Sequence, residues 1–203
     1  MCPRPIDDPE RLVLASSSPR RVELLTRAGL ELEVIASDIP EHTRPNETPT
    51  AAARRLAQEK ALTVARRLGA TPRRWVIGAD TVVVVDGVAI GKPRDPDHAV
   101  TLLSTLVGRR HEVITGVAVV DTASLRVWED VVESAVEMRP ASLAELRSYV
   151  ATGEPLDKAG AYALQGRGRR FVDRVEGSES NVIGLPVEQT LALLRRARAE
   201  SGS

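Results

Sequence analysis

Cysteine and histidine are scarce in this chain, which has one cysteine, Cys2, and three histidines among 203 residues. Zinc centres need about four such ligands at short spacings, so any bound metal would be held by oxygen atoms. The polar, proline-containing segment 1–10 resembles neither a signal peptide nor a lipoprotein signal. We therefore expect a reduced, cytoplasmic protein.

Aromatic residues, net charge and long apolar runs are also lacking. Aromatic residues make up 2% of the chain, which leaves no stacking platform for single-stranded nucleic acid. Lys plus Arg and Asp plus Glu both total 28, so no overall basic field attracts nucleic acid. The sequence contains no run of 18 apolar residues, the length that a membrane-spanning helix requires. We expect neither nucleic acid nor a membrane as partner.

Several nucleotide and hydrolase motifs are absent as well. The sequence contains no G-x-x-x-x-G-K-[ST] loop, and Gly166-Arg-Gly-Arg-Arg-Phe171 does not complete G-x-G-x-x-G. It contains no G-x-S-x-G either, so nothing marks Ser16 to Ser18 as nucleophiles. Kinase, dinucleotide-binding and serine hydrolase functions lose their main support.

Alternating helical and extended patterns predict an α/β fold bordering on α+β, with a mixed sheet flanked by helices. We expect one domain over residues 11–199, a flexible tail at 1–10 and a frayed end at 200–203. The predicted helices span 19–28, 49–68, 96–107 and 142–153, and a last one begins at 186. The predicted strands span 12–15, 32–36, 76–85, 88–90, 111–120, 127–138 and 171–175. Segments 154–166 and 177–185 are expected to be loops.

The segment 12–21, Leu-Val-Leu-Ala-Ser-Ser-Ser-Pro-Arg-Arg, has the pattern of a phosphate site. An apolar strand stops at three serines, with Ser18 as N-cap and Pro19 as first helical residue. Free N–H groups at a helix start favour an anion. Arg20 and Arg21 occupy the first turn, where the helix dipole disfavours cations, so a compensating anionic ligand is expected there.

Two charged residues occupy positions that their neighbours make apolar. Lys60 falls inside the apolar stripe of the second helix, where it either snorkels to solvent or points into a cleft. Asp80 interrupts the apolar run 76–85, and aspartate is seldom buried unless it is paired or binds a metal. The Asp86-Gly87 turn fixes the register of the next strand, which places Lys92 close to Asp80.

These charges together suit a polyphosphate and a hard cation. The cations are Arg20, Arg21, Lys60 and Lys92, and the acids are Glu41 and Asp80. Two carboxylates bind Mg²⁺ or Mn²⁺ while leaving positions for water and phosphate oxygens, and the cations neutralise phosphate charge. An unrelated collection of surface charges is the alternative, because spacing across four elements is not a specific signal.

Six ordered motifs resemble the Maf family and extend over nearly all of residues 11–196. They are Ala15-Ser-Ser-Ser-Pro-Arg-Arg21, Glu59-Lys-Ala61, Gly78-Ala-Asp-Thr81, Gly91-Lys-Pro93, Asp157-Lys-Ala-Gly-Ala-Tyr162 with Gln165-Gly166, and Asn181-Val-Ile-Gly-Leu-Pro186. The resemblance implies a cytoplasmic, often dimeric nucleoside triphosphate pyrophosphatase that needs a divalent cation. It also implies the curved mixed sheet that this family shares with inosine triphosphatases.

The resemblance further implies a role for each matching residue. Asp80 corresponds to the proton acceptor, and Glu41 to a second acid at the metal. The phosphate-side residues correspond to Ser16, Arg21, Lys60 and Lys92. Arg20, Thr81 and Gln165 match the branch that hydrolyses dTTP and UTP, whereas the branch acting on 7-methyl-GTP has tryptophan, glutamine and glutamate there. Chemistry alone does not choose the base, since a glutamine amide pairs with uracil, thymine or adenine.

Other interpretations stay open at this point. Asp80 could be a structural carboxylate satisfied by donors of the first loop, and Gln165 could bond within its own loop. The chain could be a nucleotide-sensing regulator of cell division or septum formation, or a broader pyrophosphatase for modified nucleotides. The enzymatic hypothesis has Asp80 deprotonate a water that attacks the α-phosphorus, with pyrophosphate leaving toward the cations.

Overall fold

The structure is a computed structural model that describes residues 12–201. The predicted tail at 1–10 and the last two residues of the predicted frayed end lie outside the described residues. The helices are α1 (Pro19–Arg27), α2 (Pro49–Leu68), α3 (Pro96–Leu106), α4 (Leu143–Val150), α5 (Glu179–Ile183) and α6 (Val187–Glu200). The strands are β1 (Leu12–Leu14), β2 (Glu33–Val34), β3 (Trp75–Val85), β4 (Val88–Ile90), β5 (Arg110–Asp121), β6 (Val127–Met138) and β7 (Val172–Glu176).

The described strands hydrogen-bond in the order β2-β1-β3-β5-β6-β7, and β4 pairs with β3. Strand β1 is parallel to both β2 and β3, whereas the β3–β4 and β6–β7 pairs are antiparallel. The predicted fold class, a mixed sheet with helices, is confirmed. The register predicted from the Asp86-Gly87 turn is also confirmed, because Val85 pairs with Val88.

The described residues form two compact units. The first comprises residues 12–80, 115–132 and 184–201, and the second comprises 81–114 and 133–183. Strands β3, β5 and β6 each contribute residues to both units. A single domain over 11–199 stays a prediction.

In the first unit, α2 lies against the sheet with almost nothing between the two backbones. A Cβ added to Gly78 of β3 would overlap the carbonyl oxygen of Ala57 and lie 2.8 Å from the amide nitrogen of Ala61. A Cβ on Gly116 of β5 would overlap the carbonyl group of Ala53. The stripe of small residues on α2 therefore packs directly on two glycines of the sheet.

The second unit has its own apolar core, in which the largest fully buried side chains include Tyr149, Phe171 and Met138. His111 and Tyr162 form a polar pair within this unit, with His111 Nε2 2.9 Å from Tyr162 Oη. His111 is 2% exposed, and its Nδ1 has no hydrogen-bond partner among residues 12–201. Burial lowers the pKa of His111 to about 4, so the ring is neutral at pH 7.

Three helix starts predicted from the sequence have the expected caps. Thr48 accepts a hydrogen bond from Ala51 N, Asp95 accepts one from His98 N, and Ser142 forms a capping box with Glu145. Each motif is local, since its donor and acceptor lie three residues apart. Sequence patterns therefore locate these boundaries well.

The loop predicted at 177–185 is wrong in its centre, where the five-residue helix α5 forms. Its Asn181 is fully buried, and Nδ2 donates to the Val113 carbonyl oxygen at 2.9 Å and to Ser134 Oγ at 3.0 Å. A helix this short shows no apolar period in the sequence, and contacts with β5 and β6 stabilise it.

Within residues 12–201, no helix has the length and apolar character that crossing a membrane requires.

Replacing Gly78 with alanine is expected to lower the free energy of unfolding by about 1–3 kcal/mol or more, because the new methyl group meets backbone that cannot rotate away. Urea denaturation measures the change. Gly91→Ala is the matched control, since Gly91 has open space around its Cβ position and no positive φ. Equal midpoints for the two variants would contradict the close packing of α2.

The buried His111 makes stability depend on pH. Its pKa is about 4 in the folded protein and 6.5 when unperturbed, so its contribution is complete above pH 6.5 and is lost as pH falls toward 4. The full loss amounts to about 3 kcal/mol. Denaturation midpoints between pH 7 and pH 4.5 should fall less steeply in His111→Gln than in the wild type, and parallel slopes would exclude His111 as a source.

Candidate active site

The first loop of the sequence does form a compact polar turn at the start of α1. Ser18 is the N-cap residue and Pro19 the first helical residue, as predicted, but the Ser18 side chain makes no capping bond. Ser16 Oγ instead accepts hydrogen bonds from Ser18 N and from Arg21 Nη1, each at 3.2 Å. Ser16 therefore organises this turn, and its hydroxyl is buried rather than exposed.

Arg21 is held inside the first unit. Its Nε donates to the Gly184 carbonyl oxygen at 2.8 Å, and the residue is 9% exposed. Burial lowers the Arg21 pKa, the negative charges of Asp80 and Glu41 raise it, and the neighbouring Arg20 lowers it. An arginine stays charged despite such shifts, so a fixed positive charge lies within electrostatic range of both acids.

Lys60 connects the two acids that the sequence singled out. Its Nζ lies 2.5 Å from Glu41 Oε1 and 2.6 Å from Asp80 Oδ1. The lysine side chain is 6% exposed, the Asp80 side chain 13% and the Glu41 side chain 49%. The snorkelling interpretation of Lys60 is therefore wrong. Asp80 therefore has this ammonium group as a partner.

A network around Arg55 of α2 fixes the loop that follows Glu41. Arg55 donates to both carboxylate oxygens of Glu47, at 2.6 and 2.7 Å, and to the His42 carbonyl oxygen at 3.0 Å. It also pairs with Glu59 at 3.0 Å, and Glu59 in turn binds Arg44. This network was not predicted from the sequence, in which the four-residue spacing of Arg55 and Glu59 is its only signal.

Three predicted site residues, Thr81, Lys92 and Gln165, belong to the second unit. Thr81 is half-buried on β3, directly after Asp80. Lys92 is exposed and lies beyond the β3–β4 ladder, whose last pair is Val83 with Ile90. Gln165 is exposed in the loop before the 3₁₀ turn Arg167–Phe171. That Lys92 lies close to Asp80 stays a prediction.

The chemistry of the two acids fits a divalent cation that takes most of its ligands from elsewhere. Residues 12–201 contain no cluster of three or more His, Cys, Asp or Glu side chains able to hold a metal alone. Glu41 and Asp80 nevertheless direct one oxygen each at a single cation, the Lys60 ammonium. Mg²⁺ is commonly bound by one or two carboxylates, with water and phosphate oxygens completing its coordination.

This arrangement has the features of a site for a polyanion and a hard cation: two carboxylates that share Lys60, and the buried Arg21 at the start of a helix. A model of the Maf-like protein family matches residues 11–197. The chain belongs to this family, and the resemblance inferred from its motifs is confirmed.

Similar proteins over nearly the whole length carry the name dTTP/UTP pyrophosphatase. The Geobacter metallireducens protein is 49% identical over 185 residues, covering 91% of this chain and 95% of its own. The Acinetobacter baylyi protein is 48% identical and the Anaeromyxobacter dehalogenans protein 51% identical, each covering 92% of this chain and, respectively, 99% and 94% of its own. A solved Ham1 protein from Staphylococcus aureus is 13% identical with a TM-score of 0.49, covering 95% of this chain and all of that one.

Replacing Arg55 with methionine should release the loop from His42 to Glu47, because Glu47 and the His42 carbonyl lose their shared donor. Hydrogen exchange at the Arg44 and Glu47 amides is expected to speed up by about tenfold or more. Arg54→Met is the control, since the neighbouring Arg54 is exposed and its Nε lies 3.9 Å from Glu129 Oε1, away from the loop. Equal exchange in the two variants would show that Arg55 does not hold the loop.

Proposed function

We propose that this chain is a nucleoside triphosphate pyrophosphatase that hydrolyses dTTP and UTP to the monophosphate and pyrophosphate. The observation that carries the proposal is the contact of the buried Lys60 with Asp80 and with the partly exposed Glu41, in the electrostatic range of Arg21. Membership of the Maf-like family and the names of relatives about 49% identical support the reaction and its substrates.

Asp80 is assigned as the general base. Lys60 occupies Oδ1, so we assign Oδ2 to accept the proton of the attacking water. The hydroxide equivalent attacks the α-phosphorus, the bond to the bridging oxygen breaks, and pyrophosphate takes the electron pair. Positive groups then neutralise the leaving pyrophosphate, a role we assign to Lys60, Arg21 and Lys92.

A divalent cation, Mg²⁺ or Mn²⁺, is the proposed cofactor, with Glu41 and Asp80 as its protein ligands. Bound there, it would neutralise phosphate charge and lower the pKa of a bound water. Lys60 must then share the two carboxylates, because its ammonium occupies the point on which they converge.

Base selection is assigned to Arg20, Thr81 and Gln165. Gln165 is exposed, so its amide is available to pair with a base. A glutamine amide can accept from N3–H and donate to O4, the arrangement that uracil and thymine share and cytosine does not. This chemistry agrees with the dTTP/UTP name of the relatives.

Pyrophosphate release from a nucleotide panel tests the proposal. The purified protein, with Mg²⁺ or Mn²⁺, is assayed on UTP, dTTP, CTP, ATP, GTP, ITP and 7-methyl-GTP, and the first two should give the highest kcat/KM. Binding of UTP without pyrophosphate release would indicate a sensor. Equal rates on all nucleotides, or a preference for ITP, would indicate a broader pyrophosphatase.

Asp80→Asn keeps the shape of the side chain but removes the base, so kcat should fall by about 10²- to 10⁴-fold. KM should change little, because the phosphate-binding cations remain. Asp86→Asn is the control, since Asp86 lies exposed in the β3–β4 turn with Arg109 as its partner and asparagine tolerates its positive φ. Turnover of Asp80→Asn within a few-fold of wild type would end the assignment.

A further inference from the structure

One carboxylate in the second unit holds the loop that carries Gln165. Glu154 follows α4 and accepts three hydrogen bonds. Its Oε1 accepts from Tyr149 Oη at 2.8 Å and from Gly168 N at 3.0 Å, and its Oε2 accepts from Arg167 N at 2.9 Å. Two of these donors are backbone amides that come two and three residues after Gln165.

Tyr149 holds the same loop on the other side of Gln165. Its Oη accepts a hydrogen bond from Ala163 N at 3.1 Å while donating to Glu154. The tyrosine side chain is fully buried on α4, and its ring packs edge-on against Phe171 with 5.4 Å between centroids. A rigid phenol and one carboxylate thus bond the 163–168 loop both before and after Gln165.

The fit between this loop and Glu154 is tight. A Cβ added to Gly166 would lie 2.5 Å from the Glu154 carboxyl group, so a side chain at this position would displace the carboxylate from the loop. Gly168 is similarly crowded, since an added Cβ would lie 2.6 Å from Tyr149 Oη. The position of the carboxylate and the path of the loop therefore determine each other.

The protonation states of the pair suit this arrangement. Partial burial raises the Glu154 pKa, but hydrogen bonds from Arg167, Tyr149 and Gly168 outweigh that effect and leave the pKa lowered. Burial, together with Glu154, raises the Tyr149 pKa. At neutral pH the Glu154 carboxylate is ionised and therefore acts only as a hydrogen-bond acceptor, and the Tyr149 hydroxyl keeps its proton.

We propose that Glu154, supported by Tyr149, is a positioning residue for base selection: it fixes the 163–168 loop so that the Gln165 amide meets the base in one orientation. The inference rests on the proposed function, because it assigns Gln165 to the base. A preorganised amide discriminates between bases by hydrogen bonding, whereas a mobile one adapts to several. The group acts through Gln165 and does not itself contact the nucleotide.

Glu154→Gln tests this role with little change in shape. The glutamine places an NH2 group where an acceptor is needed, so at least one of the three donors loses its acceptor. The ratio of kcat/KM for UTP over CTP should fall by about tenfold, mostly through KM for UTP, while kcat on UTP stays within a few-fold. Hydrogen exchange at the Arg167 and Gly168 amides should speed up in the same variant.

Glu145→Gln is the matched control. Glu145 is also a hydrogen-bonded carboxylate of the second unit, but its side chain bonds Ser142 and Arg139 and not the 163–168 loop. Loss of its bonds should lower stability and leave the UTP/CTP ratio unchanged. Tyr149→Phe keeps the buried ring and removes the hydroxyl, so it should shift the ratio in the same direction as Glu154→Gln.

A double-mutant cycle with Gln165→Ala separates positioning from other effects. If Glu154 acts through Gln165, adding Glu154→Gln to Gln165→Ala changes the ratio no further. The inference would be overturned if Glu154→Gln alone left the UTP/CTP ratio unchanged, or if it shifted the ratio equally in the wild type and in Gln165→Ala. In both cases a wild type that prefers UTP would still uphold the proposed function. A wild type that releases pyrophosphate equally from UTP and CTP would overturn the base preference and this inference together.

Discussion

The direct contact of α2 with the sheet at Gly78 and Gly116 is the constraint on which the candidate site depends. At both positions the added Cβ of any other residue would overlap backbone of α2. Gly78 precedes Asp80 by two residues, and Ala61, which Gly78 contacts, follows Lys60. Because helix and strand approach so closely here, the lysine of one can reach the carboxylate of the other at 2.6 Å. A larger residue at 78 would lift the helix and separate the charges.

Burial of these charges is costly, and their pairing offsets the cost without making the cluster a source of stability. Apolar residues of similar volume could fill the same space, so the charges point to a ligand rather than to the fold. Lys60 and Arg21 balance Asp80 and Glu41 in number. The negative charge of a triphosphate would therefore have to be neutralised by additional cations, and we propose the divalent ion and Lys92 for this role.

Local signals in the sequence predicted the helices and strands well. They could not predict contacts between residues that lie far apart along the chain. The Asp86-Gly87 turn set the β4 register, and the caps at Thr48, Asp95 and Ser142 marked helix starts, because each needs only neighbouring residues. The helical wheel identified Lys60 as unusual but could not name its partners, which lie 19 and 20 residues away along the chain. Helix α5 and the contacts of Asn181 with Val113 and Ser134 were missed for the same reason.

The two loops that carry candidate ligand-binding residues are held in the same physical way. Neither loop forms strand pairs that would satisfy its backbone groups, so a charged side chain on a neighbouring helix or just after one supplies the missing partners. Arg55 does this for the His42 carbonyl after Glu41, and Glu154 does it for the amides after Gln165. With the roles proposed for Gln165 and Glu154, substrate preference in this chain depends on side chains that do not contact the substrate, so the motif residues alone underdetermine it.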